Sequence, residues 1–538
     1  MDAGVLEPID ARFLACVMTD APLQDQSSPP RSRWLPTIGL SLWLIFVLGL
    51  MLSQWRVVMI NSDGDACLHW RIGNWMIEHH AVIRADVFSH TRANAPLISK
   101  EWLSEVLFAA AGDALGWNGI ALLAAVLIAT CLWLLHRQLL SEGIGLLPAT
   151  ALTLVAAMAG TVHWLARPHL FTLLLTVIFS GYLRRFDRGQ LGTRSLLWRL
   201  VPLMALWVNL HGAFFTGFVI TTTFVVGNAI TLITARADAR PAIRSKLIGL
   251  GLLLICCALV TLLNPNGWQL PAHVVEFLLN PVLAHYTNEF RSPDFHSAAA
   301  HGLLIEFAVI GLTLVFLRPV MRPTDVVVMG TWGLLALLAA RNIPIFALVV
   351  TPILAKQWQD GLANARPGRL LNFYRRLSEN VTTRNRTADG RATVAVALLA
   401  LVAVLAKPNL VGGKPAITTD VLSNRFPVAA VQFVTAHPQA VRGEMFNDYG
   451  WGGYLMLTMP AHRVFVDGRN DFYGPDLVRE FSSVNTVGTN WETVLHKYDV
   501  GWTILPRAHP LNVLFSLRKD WTLAYADDVT AIYARKPE

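Results

Sequence analysis

The chain has 538 residues, 54% hydrophobic and 15% charged, with a formal net charge of +8 and a mean hydropathy of +0.45. A soluble domain carries about 25% charged residues, so an ordinary soluble fold is excluded. The positive charge lies in short loops between apolar runs, where membrane topology accounts for it without nucleic acid as a partner.

Residues 1–33 are polar and end in Pro29, Pro30, Arg31 and Arg33. With no short apolar core and no small-residue cleavage site, they are expected to be a cytoplasmic tail and not a cleaved signal peptide. Apolar runs close to the ~20 residues of a spanning helix then recur through the chain. We read about eleven spans, at 34–56, 117–136, 145–166, 168–184, 199–211, 213–235, 247–264, 302–318, 324–341, 343–356 and 392–408. With the N-terminus inside, the even-numbered loops hold most of the Lys and Arg, among them Arg137, Arg184, Arg185, Arg188, Arg236, Arg240, Arg318 and Arg322. So does the segment 356–391, and this is the asymmetry that orients membrane proteins. The expected fold is therefore a polytopic α-helical membrane protein, 34–408, with a first outer loop at 57–116. Residues 409–538 alternate helix-like and strand-like pieces and are expected to form an extracytoplasmic α/β domain. Five cysteines, Cys16, Cys67, Cys131, Cys256 and Cys257, show neither a disulfide framework nor zinc spacing.

With this topology the unusual polar residues sort to the outer face. The first loop carries Asp63, Asp65, His69, Arg71, Asp86 and Glu101. The third span ends at "ARPHLF" with Arg167 and His169, the fifth at "WVNLHGAF" with Asn209 and His211, and the seventh at "LNPNGW" with Asn264 and Asn266. A later outer loop reads "NEFRSPDFH", with Glu289, Arg291, Asp294 and His296, and the ninth span ends at "AARNIP" with Arg341. Singly, each has a plain reading as a headgroup-layer residue, a proline helix stop or a snorkelling arginine. Together on one side they point to a shared site, since ionisable groups near membrane depth are costly and usually face a protein or water-filled cavity.

Asp63-Gly64-Asp65 supplies oxygen atoms that can hold Mg²⁺ or Mn²⁺ against a phosphate, or one carboxylate can act as general base on a hydroxyl. Arg167, Arg291 and Arg341 are suited to phosphate oxygens. Glu101 opens an amphipathic run, "EWLSEVLFAAAGDAL", or is simply an acidic residue favoured at a helix start. In the tail, Asp467, Arg469, Asn470 and Asp471 follow a strand-like run and are read either as ligand contacts or as a buried Asp–Arg pair fixing a turn. "YGWGG" lacks the Lys-Ser/Thr of a phosphate loop, and no Gly-x-Ser-x-Gly, HExxH or dinucleotide signature occurs.

The layout resembles the GT-C superfamily of membrane glycosyltransferases, which use polyprenyl-phosphate-linked sugars and carry a catalytic acid in the first extracytoplasmic loop. More narrowly, "DGDACLHWRIGNWMIEHHAVIRADVFSHT", "KEWLSEVLF", "ARPHLFTLL", "LWVNLHGAF", "LNPNGW", "SPDFH" and "YGWGGYL…VFVDGRNDFYG" resemble a bacterial family of GT-C-like proteins, from about residue 57 to the C-terminus. Asp63, Asp65, His69, Arg71 and Gly73 match that family's opening motif, which tends to read D-P-D with aromatics before the His; Gly64, Ala66 and Cys67 depart from it. Lys100 stands where relatives often have His before Glu101, which removes a histidine ligand there.

The resemblance implies Asp65 as catalytic carboxylate, with Asp63 as the alternative and Asp63 and Asp65 as optional ligands for Mg²⁺ or Mn²⁺. The grouping of polar residues on the outer face makes His69, Arg71, Glu101, Arg167, His169, Asn209, His211, Asn264, Arg291, Asp294, His296 and Arg341 the expected substrate-binding residues. The expected partners are the bilayer, a polyprenyl-phosphate-linked sugar donor and an envelope glycan, lipid or protein acceptor, at the outer face of the cytoplasmic membrane. The alternatives are a transporter or flippase of a lipid-linked solute and a non-enzymatic envelope-assembly scaffold.

Overall fold

A computed structural model of the protein describes residues 32–62, 64–365, 368–406 and 420–536. Asp63 and the tail 1–31 lie outside the described residues. Each of the eleven apolar runs forms a helix. In chain order the helices to the end of the bundle are α1 (Ile38–Leu52), α2 (Trp55–Asn61), α3 (Asp65–His79), α4 (Trp102–Leu115), α5 (Trp117–Ser141), α6 (Leu146–Gly160), α7 (His169–Asp187), α8 (Thr193–Leu210) and α9 (Phe215–Thr234). There follow α10 (Arg240–Val260), α11 (Gln269–Leu279), α12 (Pro281–Tyr286), α13 (Ala298–Leu317), α14 (Pro323–Leu338), α15 (Ile343–Asn364), α16 (Arg369–Arg386) and α17 (Arg391–Ala406).

By length and composition, five of these helices among the described residues can cross a membrane unaided, and α1 with α2 makes a sixth, bent by 68°. Proline sets several of the boundaries. Pro241, Pro323 and Pro344 sit in the first turn of α10, α14 and α15, where the missing N–H costs nothing. The outward faces carry large apolar side chains in the open, such as Ile233, Leu259, Phe316 and Leu334. Exposed apolar surface on this scale marks a lipid-facing exterior, and the chain is a multi-pass membrane protein. β1 (Ser32–Pro36) pairs in parallel with β2 (Ala388–Asp389). Since β1 leads into α1 and β2 into α17, the first and last apolar helices start from the same side.

Residues 420–536 build a four-stranded sheet in the order β3-β4-β6-β5, from β3 (Glu444–Asn447), β4 (Val500–Pro506), β5 (Trp521–Ala526) and β6 (Thr530–Arg535). β3 and β4 are parallel and the other pairings antiparallel. The apolar face of the first outer loop packs into the core of this region: Leu68, Ile72, Met76, Ile83 and Phe88 cluster with Phe446, Leu455, Phe465 and Trp502. Position 409 therefore divides the chain but does not divide the cores, and the loop assigned by sequence to the bundle is shared between the two.

Polar contacts fasten the same junction. Asn61, 2% exposed, donates to the Asp420 carbonyl and accepts from Leu422 N–H. Arg469 lies between Asp467 (2.6 Å) and Asp86 (2.9 Å), and Tyr473 donates to Asp467 at 2.6 Å. All four side chains are buried and mutually paired, the arrangement of a structural latch.

Candidate functional site

The 68° bend between α1 and α2 turns the chain so that α3 begins beside the bundle's end. Asp65 is its first residue, where a carboxylate is favoured by the helix dipole. A cradle of glycines surrounds it. A Cβ on Gly64 would overlap the Gly450 carbonyl oxygen, one on Gly453 the Gly64 carbonyl oxygen, and one on Gly468 the Asp65 Oδ1 itself. The "YGWGG" and "DGRND" stretches of the tail thus bring backbone against the opening motif, and Gly64 is required by that close approach.

Asp65 Oδ2 lies 3.2 Å from Arg167 Nη1, and the same nitrogen lies 2.5 Å from Glu289 Oε1. Arg167 precedes Pro168, which stops the preceding turn and starts α7. Burial would raise the Glu289 carboxyl; Arg167, with His163, Arg341 and His169 beyond it, outweighs this and holds it down at about 2. Arg341, in the turn Ala340–Asn342, stacks 4.4 Å from the Phe290 ring centre. The Ala340 N–H donates to the Arg291 carbonyl at 3.0 Å, so Arg291 positions the Arg341 turn through its backbone. His169 donates from Nε2 to the His163 carbonyl at 2.7 Å. Asp65, Arg167, Glu289 and the Arg341 turn, far apart in sequence, therefore form a partly exposed set of alternating charge.

One helical turn beyond Asp65, His69 faces two carboxylates: its Nδ1 is 3.3 Å from Glu105 Oε1 and its Nε2 is 3.8 Å from Glu101 Oε2. Gly73 makes this possible, because a Cβ there would overlap the Glu105 carbonyl and push α3 from α4. Burial lowers His69, but the Glu105 hydrogen bond and the charges of Glu101, Glu105 and Asp65 win, leaving it above its ordinary value. Burial also pushes the Glu101 carboxyl up, against the pull of Lys100 and His69. His211 Nδ1 accepts from the Thr172 hydroxyl (2.8 Å) and the Ala213 N–H (3.3 Å). Its proton therefore sits on Nε2, 3.4 Å from Glu101 Oε1. Lys100 and His273 close on Asp471 at 2.6 and 3.0 Å. Burial opposes ionisation of Asp471, yet these two partners keep it well below the usual carboxylate range.

The remaining candidates sit elsewhere. Asn209 accepts from Trp102 and donates to the Ala205 and Leu263 carbonyls; Asn264 donates to the Thr261 and Gly267 carbonyls. Both fix turns at the rim. Arg71 lies over Phe88 and lines a separate cleft with Trp75, His462 and Arg463. Asp294 accepts the His296 N–H in an exposed turn. Sequence reasoning left Glu105, His273 and the Glu289–Arg167 pair unassigned. Glu105 was within reach, lying four residues after Glu101 on one helix face; the other two depend on tertiary packing.

No family model and no curated protein matches the chain. Among solved structures, the archaeal oligosaccharyltransferase AglB from Archaeoglobus fulgidus, in complex with an inhibitory peptide and a dolichol-phosphate, matches at TM-score 0.52 and 13% identity, over 87% of this chain and 69% of that one. ArnT from Cupriavidus metallidurans matches in the apo state at TM-score 0.48 and 12% identity, over 93% of this chain and 100% of that one. Bound to undecaprenyl phosphate it matches at 0.45 and 11%, over 93% and 99%. The AglB likeness, at so low an identity, is one of fold alone.

Proposed function

We propose that the protein is a glycosyltransferase that moves a sugar from a polyprenyl-phosphate-linked donor to an envelope acceptor at the outer face of the cytoplasmic membrane, through eleven crossings with the N-terminus inside. The observation that carries this reading is the Asp65–Arg167–Glu289 chain, largely enclosed but reachable, with side-chain exposures of 24, 18 and 30%. The GT-C-type fold and the dolichol-phosphate in the AglB complex support a polyprenyl-phosphate donor.

The donor phosphate competes with Glu289 for Arg167 and meets Arg341 as a second cation. Asp65 then takes the proton of the acceptor hydroxyl. The acceptor oxygen bonds to the anomeric carbon as the carbon–oxygen bond to phosphate breaks, polyprenyl phosphate leaves, and the centre inverts. Mg²⁺ or Mn²⁺ on Asp65 fits poorly, because Asp65 already holds a cation in Arg167. The test is mass spectrometry of envelope glycans and lipid-linked sugars in a deletion strain complemented with wild-type or Asp65→Asn protein. The expected result is that Asp65→Asn, present at normal level, leaves the deletion pattern unchanged, with the donor accumulated. Restoration of the glycan by Asp65→Asn sinks the assignment.

A transporter is favoured by one observation. Glu306, mid-helix in α13 and fully buried, has both carboxyl oxygens without a hydrogen-bond partner among the described residues, and acids at such depth often mark a pathway. On the transferase reading, Glu306→Gln leaves the glycan pattern intact.

A further inference from the structure

We propose that His69, Glu101 and Glu105 form a binding site for a divalent transition-metal ion of the Zn²⁺ class. Each offers one ligand atom, and the three atoms lie within 4.8 Å of one another. All three residues are buried, at 7, 8 and 6% exposure. Zinc bonds of about 2.0–2.1 Å ask for ligand atoms somewhat closer than this, which carboxylate rotation and a shift of roughly 1 Å supply.

Two observations point to a ligand. Glu105 Oε2 is buried with no hydrogen-bond partner among the described residues, and a carboxylate oxygen left so is costly. The charge also does not close: Glu101 and Glu105 face His69 and a His211 that offers Glu101 only a neutral N–H, and the neighbouring Lys100 ion-pairs with Asp471 at 2.6 Å. A dication at the centre would satisfy both. The donor set selects its class, since one imidazole nitrogen with carboxylate oxygens suits Zn²⁺, Mn²⁺ or Fe²⁺, whereas Mg²⁺ and Ca²⁺ favour oxygen alone.

His211 takes the outer role. With Nδ1 occupied by Thr172 and Ala213, it turns Nε2–H toward Glu101 and orients that carboxylate, the arrangement by which surrounding groups fix a ligand. The ion would bridge α3 to α4 one turn from Asp65, apart from the Asp63–Asp65 pair. The site stands whether or not the transferase reading does.

The test uses full-length protein in detergent, stripped by chelator and reloaded with ZnCl₂. Elemental analysis should find a single zinc per chain, and reloading should raise the unfolding temperature. Glu105→Gln should weaken zinc affinity by about tenfold or more, while Asp65→Asn keeps the ion. Substoichiometric zinc in reloaded wild type overturns the site, as does full affinity in Glu105→Gln or loss of the ion in Asp65→Asn. Should Glu105→Gln fail to fold, Co²⁺-loaded wild type decides: magnetic coupling to one imidazole nitrogen supports the site, and oxygen-only coordination overturns it.

Discussion

Helix α7 runs from His169 to Asp187, close to 30 Å at 1.5 Å per residue, and its two ends handle charge differently. At the Asp187 end, Glu142 accepts from Arg184 Nε and Nη2 at 3.2 and 2.9 Å and from Arg188 Nη1 at 2.6 Å. Asp187 accepts from Asn228 and Arg322, and Arg322 also forks onto Asp325 at 3.0 Å twice. Each acid there has guanidinium or amide donors in good geometry, and Glu142 and Arg184 are each 3% exposed. At the His169 end the acids face imidazoles or share one arginine, and Asp65, Arg167 and Glu289 stay partly open. The first end is closely paired and holds helices together; the second stays partly open to solvent.

That contrast separates the effects of two isosteric substitutions. Asp65→Asn should lower transfer by about 10²–10⁴-fold and leave the unfolding temperature in detergent nearly unchanged. Glu142→Gln should leave Arg184 and Arg188 facing a neutral amide and cost about 3–5 kcal/mol of stability, read as a large drop in unfolding temperature. If Asp65→Asn destabilises as much as Glu142→Gln, the Asp65 end is a structural ion network like the other.

A smaller effect should come from the tail without touching a charge. Gly468→Ala places a methyl on Asp65 Oδ1, so the carboxylate must move by about 1 Å, enough for roughly a 10²-fold loss of rate. The folded protein should persist. Wild-type transfer in Gly468→Ala places the reacting groups away from this Asp65 rotamer.

The helices were legible because apolar length is a local property of the chain. Asp65 and Arg167, which the structure brings to 3.2 Å, were named together because the loop charges placed both on one side of the apolar runs. The junction with the tail was not legible. Gly64, Gly450, Gly453 and Gly468 look like loop glycines until backbone is seen against backbone, and nothing local in 68–88 says that the sheet region covers its apolar side chains. Arg71 misled because a motif gives adjacency in sequence, while the α3 periodicity turns Arg71 away from the face that carries Asp65 and His69.

The smallest effect concerns Glu289 and the proton. Its carboxyl falls from an ordinary 4.5 to about 2 in the folded protein, where Arg167 outweighs burial. A group lowered on folding contributes stability in full above its unfolded value and loses it as pH falls through the folded one. The unfolding-temperature gap between wild type and Glu289→Gln should therefore be constant from pH 7 to about 5. It should narrow below about 4.5 and close only toward 2. In an Arg167→Gln background the narrowing should begin at higher pH, since burial would then raise the carboxyl unopposed by its nearest cation. A gap that already closes between pH 6 and 5 in the wild-type background would mean that Arg167 is engaged elsewhere, with Asp65 as its sole carboxylate partner. The donor phosphate would then meet an arginine with one fewer competitor.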